Sequence, residues 1–392
     1  MTTMMLSVRR ARVVAVTALL FVSVVAIPVT RAQTPPKGGQ APAKKNPLLK
    51  LAEPWPDAAQ RRQRRTAAES RPIFATTDPL AFTLAANFKA LNKDHDPNSK
   101  KRYPGELKMT REDGKMDTIA VNLGARGHIR RMARVCEFVP IRVEFPKEDV
   151  KDTVFAGQNA LKLVVPCQSG KDYEQYILRE YLVYRVFNLL TARSFRARLA
   201  RVTYVDSMGK TMATRPGILL EDDGDVATRM EGRTVALQRV LFENVDQETL
   251  TVMMVFEYMI GNTDYSLYAL HNVRLVQLPE TRLMYTVPYD FDLAGAVHPP
   301  YAIPDRRLGI SSVTDRLYRG PCRTPAELDP ILANFRANKD KVMALYDSLP
   351  DLDKDSRREA KDYFEGFYST INNAKDVKRL FIDACSKPRP TM

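Results

Sequence analysis

Asn262-Thr263-Asp264, His271-Asn272 and Tyr289-Asp290-Phe291-Asp292 crowd carboxylates and amides between apolar and aromatic runs. An ordinary core has no use for them, because burying an unpaired charge is costly or shifts its pKa. Upstream, a strand-like segment carries Lys162, a helix-like segment carries Glu180, and a further strand pair ends at Glu221. Phosphoryl transfer needs these residue types. A strand lysine held by a helix glutamate neutralises nucleotide phosphate, a carboxylate orients the attacking hydroxyl, and a downstream amide and carboxylate hold Mg²⁺. Magnesium takes hard oxygen ligands and keeps some of its waters, so one amide and one or two carboxylates suffice. Each residue alone has a plainer reading: a solvent-facing lysine, a wet helix glutamate, turn-forming Asn and Asp. Their co-occurrence in this order is what points to chemistry. The acidic run Glu221-Asp222-Asp223-Gly224-Asp225 reads as a loop rather than a metal site.

The elements that must position these groups can be read from periodicity. Residues 104–123 read as a hairpin turning at Glu112-Asp113-Gly114, and 141–145 and 161–165 as strands. Residues 172–191 have apolar positions at 178, 182, 186 and 189, the pattern of a buried helix. Two more strands follow at 199–205 and 214–220 with Gly209 in the turn, then an apolar helix at 250–260. A hairpin at 273–277 and 283–287 leads into the acidic pair. Thr324-Pro325-Ala326-Glu327 combines a capping box with proline at the first helical position, and helices are expected around 354–371 and 376–384. Strands, a helix, strands and then a mainly helical half make an α+β arrangement with two lobes.

These residues also carry a resemblance. "MIGNTDYS…HN" followed by "VPYDFD" resembles the signature of the CotH family of atypical secreted protein kinases. "LGARGHIRR", "YILREYLVYRVFNLLT", "LARVTYVD" and "GILLED" are similar to further segments of that family, so the match spans roughly residues 105 to 295. The resemblance implies a two-lobed atypical protein-kinase-like fold, a β-rich N-lobe over about 72–221 and a mainly helical C-lobe from about 222; residues 323–392, beyond the matched segments, read as a C-terminal helical extension packed on the C-lobe. It implies Asp264 as the catalytic carboxylate, with Asn262 beside it. Asn272, Asp290 and Asp292 are the implied Mg²⁺ ligands, and Lys162 and Glu180 the nucleotide-holding ion pair. Arg126 and Gly127 are placed near the phosphates, and the backbone around Glu221 at the adenine edge. The implied cofactors are ATP and Mg²⁺. The sequence departs from the family at three points. Asp264 and Asn272 stand eight residues apart, so the intervening loop must fold back for both to reach one metal. Tyr289 replaces the usual tryptophan, and Phe138-Val139-Pro140-Ile141 replaces a basic run.

Composition bounds where this chemistry takes place. Arg9, Arg10 and Arg12 precede an apolar run at 13–29, and Thr30-Arg31-Ala32 offers the small residues of a cleavage site. This is the pattern of a secretory signal peptide over 1–32; a retained anchor is the rival reading. Residues 33–71 read as a basic, Pro- and Ala-rich flexible leader containing a short helix near 58–70. The net charge is +14, and losing the four arginines of the signal peptide leaves +10. Most of that lies before residue 66, so basicity is a property of the tail, which suits contact with an anionic surface. No nucleic-acid motif is present, and no segment after cleavage is apolar enough for an integral membrane protein. Cys136, Cys167, Cys322 and Cys385 permit two disulfides with three connectivities, Cys136–Cys167 being favoured by its neighbouring strands. No ligand spacing suggests zinc.

The functional expectation is an exported, periplasmic or secreted kinase of the CotH type. It would transfer the ATP γ-phosphoryl to a hydroxyl of an extracytoplasmic protein or envelope component. The rivals are an inactive pseudokinase acting as an envelope scaffold and a metal-dependent hydrolase using Asp264, Asp290 and Asp292.

Overall fold

The computed structural model describes residues 49–237, 239–279 and 281–386. The expected signal peptide and the start of the basic leader lie outside the described residues. These described residues belong to one compact unit. Two helices lead in, α1 (Leu49–Ala52) and α2 (Ala58–Glu69). The second is the basic helix expected near 58–70, and Asp57 starts it by accepting a hydrogen bond from the Gln60 N–H.

Seven strands then close a barrel. They are β1 (Leu80–Ala86), β2 (Tyr103–Thr110), β3 (Met116–Ala125), β4 (Ile141–Glu144), β5 (Ala160–Val164), β6 (Ala197–Val205) and β7 (Thr211–Leu220), with the short helix α3 (Phe88–Asn92) after β1. The order is β1-β2-β3-β4-β5-β7-β6, and β1 closes it by running antiparallel to β2 and parallel to β6. Alternation fills the interior: Ile119, Val121 and Leu123 of β3 meet Leu84, Leu107, Val143, Leu163 and Val202 in one apolar core.

The remaining elements pack outside. Helix α4 (Lys171–Leu190) lies on β6 and β7. Next come α5 (Asp223–Arg229), β8 (Arg233–Val235), α6 (Gln247–Ile260), β9 (Val273–Gln277) and β10 (Met284–Pro288). The last two form the expected hairpin, and with β8 they make a separate three-stranded sheet. The C-terminal part is α7 (Pro325–Ala337), α8 (Lys339–Asp347), α9 (Lys354–Asn372) and α10 (Ala374–Val377). Thr324 and Glu327 form the capping box that starts α7. A second apolar core joins α4, α6, β9, β10 and these helices, with Phe364, Phe367 and Tyr368 buried in it.

The two-lobed kinase-like fold expected from the sequence is therefore corrected. The strands close into a barrel instead of forming the open sheet of an N-lobe, and the described chain belongs to one compact unit. The element that changes the architecture is β1, "LAFTLAA", whose three alanines give it little strand character in sequence. Its two neighbours supply the pairing that its own residues do not announce.

Both disulfides form, Cys136–Cys167 as favoured and Cys322–Cys385 by consequence. The first pins the loop after β3 to the segment after β5. The second ties the approach to α7 to the end of the described chain. No helix among the described residues is long and apolar enough to cross a membrane.

Candidate active site

Lys162 sits mid-strand on β5, a strand buried on both faces. Leu161 and Leu163 enter the barrel core, so the lysine points to the opposite face. There it is 7% exposed, with its ammonium over the rings of Phe195 (4.8 Å) and Tyr289 (5.1 Å). Its carboxylate partner is Asp223, not the expected Glu180. Asp223 also accepts from Arg274 Nε at 2.7 Å. Burial pulls the lysine below its usual value, against the pull of Asp223. Burial alone would raise Asp223, but Lys162 and Arg274 hold it at about 2. The sequence signal was available: the acidic run read as a loop is the N-cap and first turn of α5, where Asp222 accepts from the Gly224 N–H and carboxylates favour the positive helix end.

Glu180 faces another group. Residues four apart share one helix face, and Tyr184, one turn after Glu180, accepts a hydrogen bond from the Asp290 N–H at 2.9 Å. Glu180 is 1% exposed and its Oε1 has no partner. Burial first, then the charge of Asp292, pushes it well above the carboxylate range, against the opposing charge of Arg130. Arg130 escaped the sequence reading. It is buried just after the Arg126-Gly127 segment and donates to the Val165 carbonyl. Burial disfavours its charge, but Tyr301, Asp292, Glu180 and Asp290 outweigh that.

The loop after α6 answers the spacing question. Gly261 ends the helix at φ +64°, a conformation that suits glycine. Buried Asn262 then spends both amide atoms locally: Nδ2 donates to Glu257 Oε2 (2.8 Å) and Oδ1 accepts from the Asp264 N–H (2.9 Å). At 1% exposure it positions Asp264 from beneath the loop. Tyr265 and Leu267 are buried, and Ser266 and His271 exchange backbone hydrogen bonds of 3.0 and 2.9 Å. The residues between Asp264 and Asn272 thus form a closed loop. Asn272 returns to donate to the Asp264 carbonyl (2.7 Å) and to its Oδ2 (3.0 Å), while His271 Nε2 lies 3.1 Å from Oδ1. The hydrogen bond to Asp264 holds the histidine above its usual value.

Asn272 also reaches the acidic pair, since its carbonyl accepts from the Tyr289 N–H at 3.0 Å. Leu270, Asn272 and Asp290 all have left-handed φ, at 50°, 54° and 65°. Such backbone is unusual for residues with a Cβ and concentrates at sites that a surrounding structure holds in place. Asp292 is buried and accepts from the Tyr301 hydroxyl at 3.3 Å. Burial and then the charge of Asp290 push it up to about 7. Arg126 is close enough for its charge to act on Lys162, Glu180 and Tyr184, and Gly127 follows it, exposed at φ +88°.

Glu221 is taken up by partners within the protein. The side-chain carboxylate of Glu221 is fully buried between Arg196 and Arg229, and its N–H donates to the Arg196 carbonyl. Neither is offered to an adenine edge. Asp264, Asn272, Asp290 and Asp292, by contrast, come together with Glu180, Arg130 and Tyr301. Among the described residues no three His, Cys, Asp or Glu side chains close on one metal. Magnesium does not require that: two carboxylates and an amide oxygen, with water and phosphate completing the shell, match its chemistry. The repulsion that raises Asp292 is what a divalent cation would relieve. The residues fit Mg²⁺.

Glu257, beneath this loop, gives a test of how tightly it is packed. The side chain is fully buried, and burial raises it from 4.5 to about 8 despite the hydrogen bond from Asn262. Between those values the folded state keeps a proton that the unfolded chain has lost, so stability falls as pH rises through the window. The slope approaches about 1.4 kcal/mol per pH unit. Urea unfolding of Glu257→Gln from pH 5 to 8 is expected to lack this slope; curves parallel to wild type would refute it.

No family model and no curated protein matches the chain. Among solved structures, the crystal structure of a Helicobacter pylori proinflammatory kinase, CtkA, is similar at a TM-score of 0.35 with 10% identity, over 59% of this chain and 88% of that one. The chain has a distant structural similarity to a kinase.

Proposed function

We propose that this chain is an exported phosphotransferase of the CotH-like kind, moving the γ-phosphoryl of ATP to a hydroxyl on an extracytoplasmic protein or envelope component. The observation that carries the reading is Asn272. It hydrogen-bonds the Asp264 carboxylate and, through its carbonyl, holds Tyr289 next to Asp290. A candidate base and a candidate metal carboxylate are thereby fixed in adjoining loops. Two disulfides accord with an oxidising compartment.

In this reading Asp264 orients the acceptor hydroxyl and takes its proton as the new O–P bond forms, while the bond from the γ-phosphorus to the bridging oxygen breaks and ADP leaves. Asn272 holds Asp264 in register, and Arg126 and Lys162 offset phosphate charge. Asp290, Asp292 and Asn272 would hold Mg²⁺, which supplies charge neutralisation on the phosphates. Tyr184 and Tyr301 fix the backbone of Asp290 and the carboxyl of Asp292.

A second reading, a nucleotide-binding or scaffold protein without transfer activity, is favoured by one observation. Lys162 is already neutralised by Asp223, which a phosphate would have to displace. Thermal melting of the mature chain with ATP and MgCl₂ separates these readings from a wholly structural role. Ligand at a hundredfold excess over Kd is expected to stabilise the fold by about 2.7 kcal/mol, and label from [γ-³²P]ATP is expected on the chain or on an added extracytoplasmic extract. A shift without label supports the second reading. No shift sinks the nucleotide-binding readings together.

A further inference from the structure

A cavity of about 570 Å³ lies between the C-terminal turns of α4, the first turn of α6, and α7. It shares no residue with the candidate active site. Phe187, Leu190 and Ile331 make an apolar wall, and Gln247, Thr286 and Arg323 meet it from the polar side. This size and this mixture of an apolar wall with a few convergent polar groups are those of a small-molecule site.

Two of its polar groups lack partners. Thr286 is 2% exposed and its buried Oγ1 makes no hydrogen bond; Arg323 is 8% exposed and its buried Nε makes none either. The rest of the Arg323 guanidinium is poorly neutralised. Its Nη2 donates to the uncharged Gln247 Oε1 at 2.8 Å. Its ion-pair partner Glu327 is half exposed and holds Oε1 3.9 Å from Nη1, beyond hydrogen-bond distance, while its Oε2 accepts from the Thr324 N–H and hydroxyl. Of the other charged groups on the lining, Arg193 lies over the Tyr285 ring and Glu248 is exposed. A buried cation without a hydrogen-bonded counter-ion is unfavourable, and so is a buried hydroxyl without a partner. An anion with acceptor oxygens satisfies both at once.

We infer that this cavity binds a small organic carboxylate with an apolar body. Arg323 takes the carboxylate, the Thr286 hydroxyl donates to one of its oxygens, and the body lies against Phe187, Leu190 and Ile331. The site stands independently of the phosphotransferase reading, and its test uses no nucleotide.

Benzoate and hexanoate serve as probes, with benzyl alcohol as the uncharged counterpart, on the full oxidised chain. Saturation-transfer NMR and melting-temperature titrations are expected to detect both acids, with affinity falling roughly tenfold in Arg323→Gln and in Thr286→Val. Thr286→Val exchanges a hydroxyl for a methyl of similar size, so it decides the matter if circular dichroism finds Arg323→Gln unfolded. Absence of binding by either acid at about 10 mM overturns the inference. So does affinity unchanged in the folded variants, or benzyl alcohol binding as tightly as benzoate.

Discussion

Asp264→Asn is expected to slow phosphoryl transfer by about 10²–10⁴-fold, the range for removing a positioned general base, while ATP and Mg²⁺ still raise the melting temperature. Asp290→Asn is expected to remove both the transfer and the Mg²⁺-dependent shift. The contrast follows from how the two carboxylates are held. Asp264 is fixed by Asn272, by His271 and through its own N–H by Asn262, so an asparagine there keeps the loop but cannot accept the proton. Asp290 is held by its backbone: its N–H is taken by Tyr184, leaving the carboxylate to a ligand. Radiolabel transfer and thermal melts on the two variants, side by side, make the comparison. Undiminished transfer by Asp264→Asn would remove it from the mechanism. A full Mg²⁺-dependent shift in Asp290→Asn would put the metal elsewhere.

Glu221→Ala is expected to cost about 3–5 kcal/mol of stability, the largest loss foreseen for a single polar side chain here. The carboxylate is fully buried and accepts five hydrogen bonds of 2.8–3.0 Å, from the Arg196 N–H and from the two guanidinium groups of Arg196 and Arg229. Removing it leaves two largely buried cations facing each other with no anion between them. Arg196 and Arg229 also donate to the Ala68 carbonyl and to the Ser194 carbonyl, so the loss spreads to the packing of α2 and of the loop before β6. Chemical unfolding with both disulfides intact measures it. A loss under about 1 kcal/mol would mean that solvent replaces the carboxylate, contrary to its burial. This variant also separates a structural glutamate from a nucleotide contact: any folded fraction is expected to bind ATP as wild type does.

How much of this could be read in the sequence follows from how local each feature is. The helix of α4, the hairpin of β9 and β10 and the capped start of α7 were legible, because periodicity, turn residues and caps are written in neighbouring positions. The closing strand β1 was not, since its partners are β2 and β6, the latter more than a hundred residues away, and alanine says little about pairing. Helix α5 was hidden by its own charge: an acidic run looks like a solvated loop until a lysine and an arginine are found facing it.

The candidate site divides along the same line. Residue types and their order pointed to Asp264, Asn272, Asp290 and Asp292 as one candidate group, because hard oxygen donors clustered against apolar strands have few other uses. The partner of each charge was decided only by the tertiary structure. Lys162 found Asp223 on α5 in place of Glu180 on α4, since strand alternation points the lysine to one side and helix periodicity turns the glutamate to Asp290 and Asp292. The loop from Asp264 to Asn272, too long by sequence spacing, closes through the Ser266–His271 pairing and the burial of Tyr265 and Leu267. Chain distance sets how far a loop can reach; packing and hydrogen bonding set where it goes.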